Sequence, residues 1–252
     1  MKLILRFPYY AYQVLICFPV LLISTILTAI VTLAGCSVSD ARWWGYYPPM
    51  IWSRLMCKVP LLKVCVEGRE NLDPKQSYVF VANHQGPYDI FLIYGWIGRP
   101  FSWLMKKELA DIPILGSACL KAGHILVDKS GPKAIKNCQD QAQNALRNGG
   151  SIVVFPEGSR TFTGHMAHFR RGPFVLANEM RLPIVPITID GSFQVLPRQK
   201  GFNFVNRHPL RLIIHNPIPF RDDMDGIISE SYRVIESGLP TEFQGFRENP
   251  DQ

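Results

Sequence analysis

The amino-acid sequence predicts an α/β fold, in which a sheet with flanking helices follows an N-terminal membrane-embedded segment of two helices. Between residues 63 and 237, short apolar runs bounded by turn residues alternate with segments of helical spacing, a pattern typical of a layered α/β domain. Residues 7–39 contain no Lys, Arg, Asp or Glu, which suits them to a bilayer core of ~30 Å. We therefore expect a membrane-anchoring helical segment over residues 1–60 and a single domain over residues 61–252, ending in a weakly patterned tail.

The first helix of the anchoring segment is predicted over Val14–Gly35, which is long enough to cross a bilayer. Lys2 and Arg6 favour a cytoplasmic N-terminus, and a single crossing would then place the rest of the chain outside. A second apolar and aromatic stretch, WWGYYPPMIWSRLMC, follows at residues 43–57, and Pro19 can kink the first helix. The pair can therefore also form a hairpin that enters and leaves one leaflet. The aromatic side chains suit either a membrane interface or packing beneath the domain.

The strands of the domain are short runs rich in Val, Ile and Leu. KVCVEG alternates like a strand, and a polar turn containing Pro74 separates it from the continuous apolar run YVFVA. Continuous runs of this kind are typical of strands that are buried on both faces. Strands are predicted at residues 63–68, 78–82, 99–109 (passing into a loop), 124–129, 151–155, 183–189 and 210–216.

The helices between these strands are recognised by apolar spacing and by their end signals. Residues 132–150 carry apolar side chains at close to helical spacing and end in Gly149-Gly150, as a helix C-cap should. Gly123 closes a shorter helix in the same way. Helices are predicted at residues 89–97, 113–123, 132–150 and 225–237.

The formal net charge of +7 comes from scattered Lys and Arg, and no nucleic-acid-binding motif accompanies them. We therefore expect an anionic lipid or phosphate as partner, and no nucleic acid. The six cysteines lie far apart, without a C-x-x-C pair, which favours reduced thiols in a cytoplasmic domain over an extracellular disulfide set. LAGC, residues 33–36, also matches the short pattern at which bacterial lipoprotein precursors are cleaved, although it lies late, behind a long apolar region.

The segment NHQGPYD, residues 83–89, directly follows a predicted strand. Gly86-Pro87 is well placed to begin a helix, with His84 outside that helix and Asp89 in its first turn. On one continuous helix the two side chains would point ~140° apart, whereas a turn between them can bring them together. A carboxylate bonded to one imidazole nitrogen raises the basicity of the other, which is the pairing that a general base needs. The same residues could instead only cap the helix.

A second polar segment, FPEGSR, occupies residues 155–160 and also follows an apolar strand. A flexible, basic stretch ending in FRRGPF comes after it. Arg160 could clamp a phosphate bidentately, Glu157 could hold an acceptor hydroxyl or orient that Arg, and Gly158 would let the backbone approach a ligand. A turn with a surface salt bridge is the alternative. Loops at the carboxyl ends of two strands can converge on one crevice.

The order NH-x-x-x-x-D, K-x-L-x-x-x-P-x-x-G, FPEGSR and then a Pro-flanked apolar strand resembles the glycerolipid acyltransferase family, of the 1-acylglycerol-3-phosphate (lysophosphatidate) acyltransferase type. The resemblance runs from about Glu67 to Ile189, roughly half of the chain, and implies a single mixed-sheet acyltransferase domain with its anchor in the expected place. The residues that carry it are Asn83, His84, Asp89, Lys107, Leu109, Pro113, Gly116, Gly123, Phe155 to Arg160 and Leu182 to Ile187.

By this resemblance, His84 is the general base and Asp89 its partner. The family commonly has an Arg where this chain has Lys129, and more often a Thr where it has Ser159. Lys keeps the positive charge but loses the planar fork of Arg, which bears on the headgroup of the acceptor. The implied substrate-binding residues are Lys107, Lys129, Glu157, Gly158, Ser159 and Arg160.

The resemblance implies that a fatty acyl group passes from an acyl thioester, acyl-CoA or acyl-carrier protein, to the free hydroxyl of 1-acyl-sn-glycerol 3-phosphate, giving phosphatidate. The chain has no G-x-S-x-G pattern, so we expect direct transfer without an acyl-enzyme, and neither a metal nor a cofactor. The expected location is the cytoplasmic (inner) membrane, with the domain on the cytoplasmic side. Two alternatives stay open: acylation of another lysolipid, such as a lyso-aminolipid, and a membrane-tethered lipid-binding protein without turnover.

Overall fold

The fold is described from a computed structural model of the chain. The structure describes residues 7–128, 130–147, 149–198 and 203–245. Lys2, Arg6, Lys129 and the last part of the predicted tail, residues 246–252, lie outside the described residues.

The N-terminal segment forms two long helical arms joined by a short connection. The first arm consists of α1 (Phe7–Tyr12), a π-helical turn (Gln13–Cys17) and α2 (Phe18–Val38). The connection contains α3 (Ala41–Trp44), and the second arm is α4 (Tyr47–Lys58). The two arms contact each other, and Trp52 Nε1 of α4 donates a hydrogen bond of 2.9 Å to Thr25 Oγ1 of α2. The predicted two-helix segment is confirmed.

The outer surface of the first arm is apolar. Its exposed side chains include Leu15, Phe18, Ile23 and Leu27. Within the described residues, Phe7–Val38 is the one helical stretch that is long and apolar enough to cross a bilayer, judged by length and composition. The second arm also packs against the first helix of the domain, so its aromatic residues serve packing as well as any membrane contact.

The domain is built on one mixed sheet of seven strands in the order β1-β7-β6-β2-β5-β3-β4. All neighbouring strands are parallel except β6 and β7, which run antiparallel. The α/β fold with a mixed sheet is therefore confirmed. The strands are β1 (Val64–Glu67), β2 (Val79–Ala82), β3 (Ser102–Lys106), β4 (Ile125–Val127), β5 (Ile152–Val154), β6 (Ile184–Asp190) and β7 (Leu210–Ile214).

Helices cover both faces of the sheet, which explains why its central strands are continuously apolar. Alternate residues of a strand point to opposite faces, so Phe80 belongs to the core on one side of the sheet and Val79 to the core on the other. The first core includes Leu92 of α5, and the second includes Phe174 of α8. The helices are α5 (Tyr88–Trp96), α6 (Leu115–Lys121), α7 (Pro132–Arg147), α8 (Gly172–Glu179), α9 (Ser192–Val195) and α10 (Met224–Ser237).

Two short helices, α8 and α9, were not predicted from the sequence. α8 begins in the segment for which a flexible, basic stretch was expected, and its Phe174 is buried against the sheet. Its eight residues are too few to show a clear helical period, and tertiary packing stabilises it. The stretch before it is consequently fixed at both ends, which matters for the site described next.

Candidate active site

The loop after β2 folds His84 back onto the first turn of α5. Asp89 Oδ2 lies 2.7 Å from His84 Nδ1 and accepts a hydrogen bond of 2.9 Å from the Gly86 amide. Asp89 is completely buried, while the His84 side chain keeps 16% of its surface exposed. The turn through Gly86 and Pro87, with Pro87 at the N-cap of α5, brings together the two residues that the sequence separates by five positions. The predicted His84–Asp89 pair is therefore present in the structure.

The start of this loop is locked to the neighbouring strand. The side-chain amide of Asn83 donates to the Ile189 carbonyl at 2.8 Å and accepts from the Ile189 amide at 2.7 Å. Asn83 is fully buried, so its amide replaces the strand pairing that β2 would otherwise continue with β6. This bidentate contact fixes where β2 ends and where the His84 side chain starts.

The imidazole ring of His84 is held flat against an aromatic ring. Its centroid lies 3.9 Å from that of Phe155, with 8° between the ring planes, and Phe155 stacks in turn on Trp103. Asp89 accepts a hydrogen bond from the protonated Nδ1, so Nε2 is the nitrogen with a lone pair. No residue in the described part of the chain hydrogen bonds Nε2. The stacking and the carboxylate together orient a basic nitrogen that an incoming hydroxyl can reach.

Glu157 holds the backbone of this same histidine. Its carboxylate accepts a hydrogen bond of 2.6 Å from the His84 amide and one of 2.8 Å from the Ala167 amide. Glu157 is only 1% exposed, and burial raises its pKa to about 8, against the opposing effect of the two amides. The carboxyl group was predicted to hold an acceptor hydroxyl or to orient Arg160. Among the described residues it makes no ion pair with Arg160, and both its oxygens contact the backbone.

The turn that follows Glu157 returns the chain to the histidine. The Gly158 amide donates to the Phe155 carbonyl at 3.0 Å, and Gly158 has a positive φ of 79° that other residues rarely adopt. The Thr161 amide then donates to the His84 carbonyl at 2.9 Å. His84 is therefore bonded through its amide to Glu157 and through its carbonyl to Thr161. The two predicted loops converge because β2 and β5 are adjacent and parallel.

The basic side chains of the second loop lie around this turn. Arg160 is half-buried, and its carbonyl accepts a hydrogen bond of 2.8 Å from Arg198, whose guanidinium stacks over Phe162 at 3.9 Å. Ser159 is half-buried beside them. The sequence analysis missed Arg198, because no motif around it predicts that this segment of the chain contacts the loop of Arg160.

Lys107, one of the two predicted lysines, belongs to a neighbouring part of the same sheet edge. Lys107 follows β3 and forms an ion pair of 2.8 Å with Asp128, which follows β4. The hydrogen bond from Lys107 is the largest cause that lowers the pKa of Asp128 to about 2. In the sheet β5 lies between β2 and β3. The Lys107–Asp128 pair, at the ends of β3 and β4, is therefore further from the strand that precedes His84 than Arg160, which follows β5. Lys129 lies outside the described residues, and the substrate-binding role of both lysines stays a prediction.

Comparison with known proteins gives concordant results. The family model described as Acyltransferase matches residues 63–190. A 1-acyl-sn-glycerol-3-phosphate acyltransferase of Chlamydomonas reinhardtii is 30% identical over 187 residues, which are 74% of this chain and 56% of that protein. A protein of the same name from Pseudomonas aeruginosa is 36% identical over 123 residues, 48% of this chain and 47% of that protein. The chain thus spans about half the length of the curated relatives it matches.

A solved structure shares the fold. The crystal structure of the 1-acyl-sn-glycerophosphate acyltransferase from Thermotoga maritima superimposes with a TM-score of 0.75 at 22% sequence identity, over 94% of this chain and 96% of that chain. The agreement extends over the N-terminal helices as well as the sheet, because it covers almost all of both chains.

Proposed function

The chain belongs to the acyltransferase family, and from that premise we propose that it transfers a fatty acyl group from an acyl thioester to the free hydroxyl of 1-acyl-sn-glycerol 3-phosphate, giving phosphatidate. The observation that carries this proposal is the contact of 2.7 Å between His84 Nδ1 and Asp89 Oδ2, with Nε2 free to accept a proton. The names of the relatives supply the acceptor, and the basic loop beside His84 supports a phosphate on it.

In the proposed reaction His84 Nε2 takes the proton of the acceptor hydroxyl as its oxygen attacks the thioester carbonyl. Asp89 stabilises the imidazolium that forms, because a buried carboxylate in contact with Nδ1 favours the charged ring. The tetrahedral intermediate then collapses, the carbon–sulfur bond breaks, and the thiolate leaves with the proton from Nε2. The products are the new ester and a free thiol, coenzyme A or acyl-carrier protein, and this route needs no further cofactor.

The acceptor phosphate is proposed to lie against the loop of residues 158–160. Gly158 carries no side chain there, and the guanidinium of Arg160 makes no hydrogen bond or ion pair with another described residue. Its planar fork can therefore bind a phosphate. Ser159, Lys107 and Lys129 remain proposed substrate-binding residues. For Glu157 the geometry favours an indirect part, in which its carboxylate positions His84 through the backbone.

The proposed location is the inner face of the cytoplasmic membrane, with residues 1–60 as anchor and residues 61–252 as the catalytic domain. A lysolipid acceptor and a two-chain product partition into the bilayer, whereas the thioester donor is cytoplasmic. The apolar surface of the first helical arm and its packing on the second support a hairpin that holds the site at that boundary.

An acceptor-by-donor panel with purified protein in neutral detergent tests the proposal. Lysophosphatidate and a phosphate-free lyso-aminolipid would each be offered with acyl-CoA and with acyl-carrier protein, and the acylated product measured. We expect phosphatidate to form with at least one donor. Activity on the phosphate-free lipid alone would replace the acceptor, and tight binding of lysolipid without transfer from either donor would make the chain a lipid-binding protein.

A further inference from the structure

The basic stretch between the second loop and α8 contacts the site through the Ala167 amide, which donates to Glu157, and again through Arg170. We propose that Arg170 supplies a second guanidinium, beside that of Arg160, to the phosphate monoester of the acceptor, and that it thereby selects a dianionic headgroup. This inference rests on the proposed function. It adds a residue that lies ten positions beyond the FPEGSR segment and outside the patterns by which the family was recognised.

The guanidinium of Arg170 lies directly on the turn at Gly158. A methyl group added at Gly158 would stand 2.8 Å from Arg170 Nε and 3.0 Å from Cζ, closer than such atoms pack. The glycine therefore leaves space for a planar side chain as well as permitting the positive φ. The Arg170 amide donates to the Pro156 carbonyl at 2.9 Å, so the two segments are tied together one residue before Glu157.

The neighbours of Arg170 in the chain fix the direction of its side chain. Phe169 packs on Phe174 and Tyr232 in the core beneath the sheet. Arg171 turns away to Asp225 of α10, with which it forms an ion pair of 3.0 Å. With one neighbour in the core and the other paired with α10, Arg170 is the member of the Arg-Arg pair that faces the Gly158 turn.

The charge of Arg170 has no partner in the part of the chain that the structure describes. Its side chain is exposed, and within the described residues it makes no ion pair, in contrast to Arg171. The Arg160 guanidinium is likewise unpaired there. Two unpaired guanidinium groups, one against Gly158 and one on a residue two positions after it, suit an anion with more than one charged edge, since each planar fork can bind two oxygens.

A phosphate monoester meets that requirement, because it carries a charge of about −1.5 to −2 at neutral pH and three terminal oxygens. A phosphodiester headgroup carries a single charge and two such oxygens. Phosphates also occur in the coenzyme A donor, so two sources share this chemistry. The acceptor is favoured by position: the Gly158 turn is bonded to both backbone groups of His84 through Glu157 and Thr161, and only a short glycerol segment separates the reacting hydroxyl from the acceptor phosphate.

The test compares Arg170→Ala with Arg171→Ala, which removes the same charge from the next residue. Steady-state kinetics would be measured in neutral detergent, varying lysophosphatidate at saturating donor and then the donor at saturating acceptor. For Arg170→Ala we expect the KM for lysophosphatidate to rise about tenfold with kcat largely retained, because one charge-assisted contact present in both ground and transition state is lost. Arg171→Ala should leave this KM unchanged, and Arg170→Lys should recover part of the loss.

The same variants would be assayed with lysophosphatidylglycerol, a phosphodiester acceptor. We expect Arg170→Ala to reduce the preference of the enzyme for the monoester, by about the same tenfold factor if only the monoester uses both groups. An unchanged KM for lysophosphatidate in a folded Arg170→Ala protein, or a rise in the donor KM alone, would overturn the inference while phosphatidate synthesis by the wild type stands. A wild type that makes no phosphatidate would instead overturn the proposed function itself.

Discussion

Two of the six histidines, one after β2 and one before β4, have surroundings that give them opposite chemistry. His84, after β2, contacts a buried carboxylate through Nδ1 and leaves Nε2 open to a substrate. His124, just before β4, is only 6% exposed, and both its nitrogens meet neutral groups. The Trp103 amide donates to its Nδ1 at 3.3 Å, and its Nε2 lies 2.9 Å from the Tyr94 hydroxyl, which donates to the Gly45 carbonyl.

The comparison shows that the chemical role of an imidazole depends on its solvent access and its hydrogen-bond partners. Trp103 donates to His124 Nδ1, so the proton of the neutral ring is assigned to Nε2 and both nitrogens are occupied. Burial lowers the pKa of His124 to about 4, which keeps the ring neutral. His124 thus joins the connection at Gly45 to the domain, while His84 keeps a free lone pair beside a carboxylate.

The largest expected effect follows replacement of the open histidine. His84→Ala should reduce kcat on the order of 10³-fold, because it removes the general base and leaves the acceptor contacts in place. The variant should still fold, because the backbone bonds to Glu157 and Thr161 do not depend on the side chain. Its thermal unfolding temperature should fall, since the buried Asp89 carboxylate loses its partner. His124→Gln is the matched control, and it should retain most of the activity. Full acyl transfer by His84→Ala would remove His84 as the base.

The next effect concerns the carboxylate that distinguishes the two histidines. Asp89 Oδ2 meets both the Gly86 amide and His84 Nδ1, so in Asp89→Asn the amide oxygen can keep both hydrogen bonds only without the negative charge. The imidazolium that forms when Nε2 takes up the proton of the substrate would then lose the carboxylate that stabilises it. We expect kcat to fall on the order of 10²-fold with the KM for lysophosphatidate retained, as measured by steady-state kinetics. A variant as active as the wild type would show that Asp89 only caps the helix.

The sequence predicts those features of the fold and the site that arise from residues close together in the chain. The strands and longer helices follow from local apolar patterns, and the His84–Asp89 contact follows from a Gly-Pro turn between two nearby residues. The hydrogen bond that Glu157 accepts from the His84 amide does not follow from a local pattern. To predict it one must know that β5 lies beside β2 and parallel to it. No short pattern records strand order.

The same limit applies to the residues that the sequence analysis missed. Arg170 was noted only as part of a basic stretch, since its place on Gly158 depends on how α8 and α10 hold the residues beside it. His124 begins a strand that was predicted at residues 124–129, but its bonds to Tyr94 and Trp103 join segments that are distant in the chain. Local chemistry could be predicted, whereas contacts set by tertiary packing had to be observed.

The smallest expected effect concerns the buried histidine, His124, and the dependence of the stability of the protein on pH. His124 has a pKa of about 4 in the folded protein against an ordinary value of 6.5, so as the pH falls the unfolded chain takes up the proton first. Its contribution to stability is therefore complete above pH 6.5 and is lost as the pH falls from 6.5 to about 4. The difference between the two pKa values corresponds to about 3 kcal/mol of stability.

His124→Gln, which cannot titrate, should be less stable than the wild type at pH 7.5, because contacts are lost. Its stability should, however, fall less than that of the wild type on acidification. Tyr94→Phe removes the hydroxyl and keeps the imidazole, so it should remain as acid-sensitive as the wild type. Thermal unfolding of the three proteins from pH 7.5 to 4.5 measures this, and equal acid sensitivity in all three would mean that His124 is not held neutral by burial.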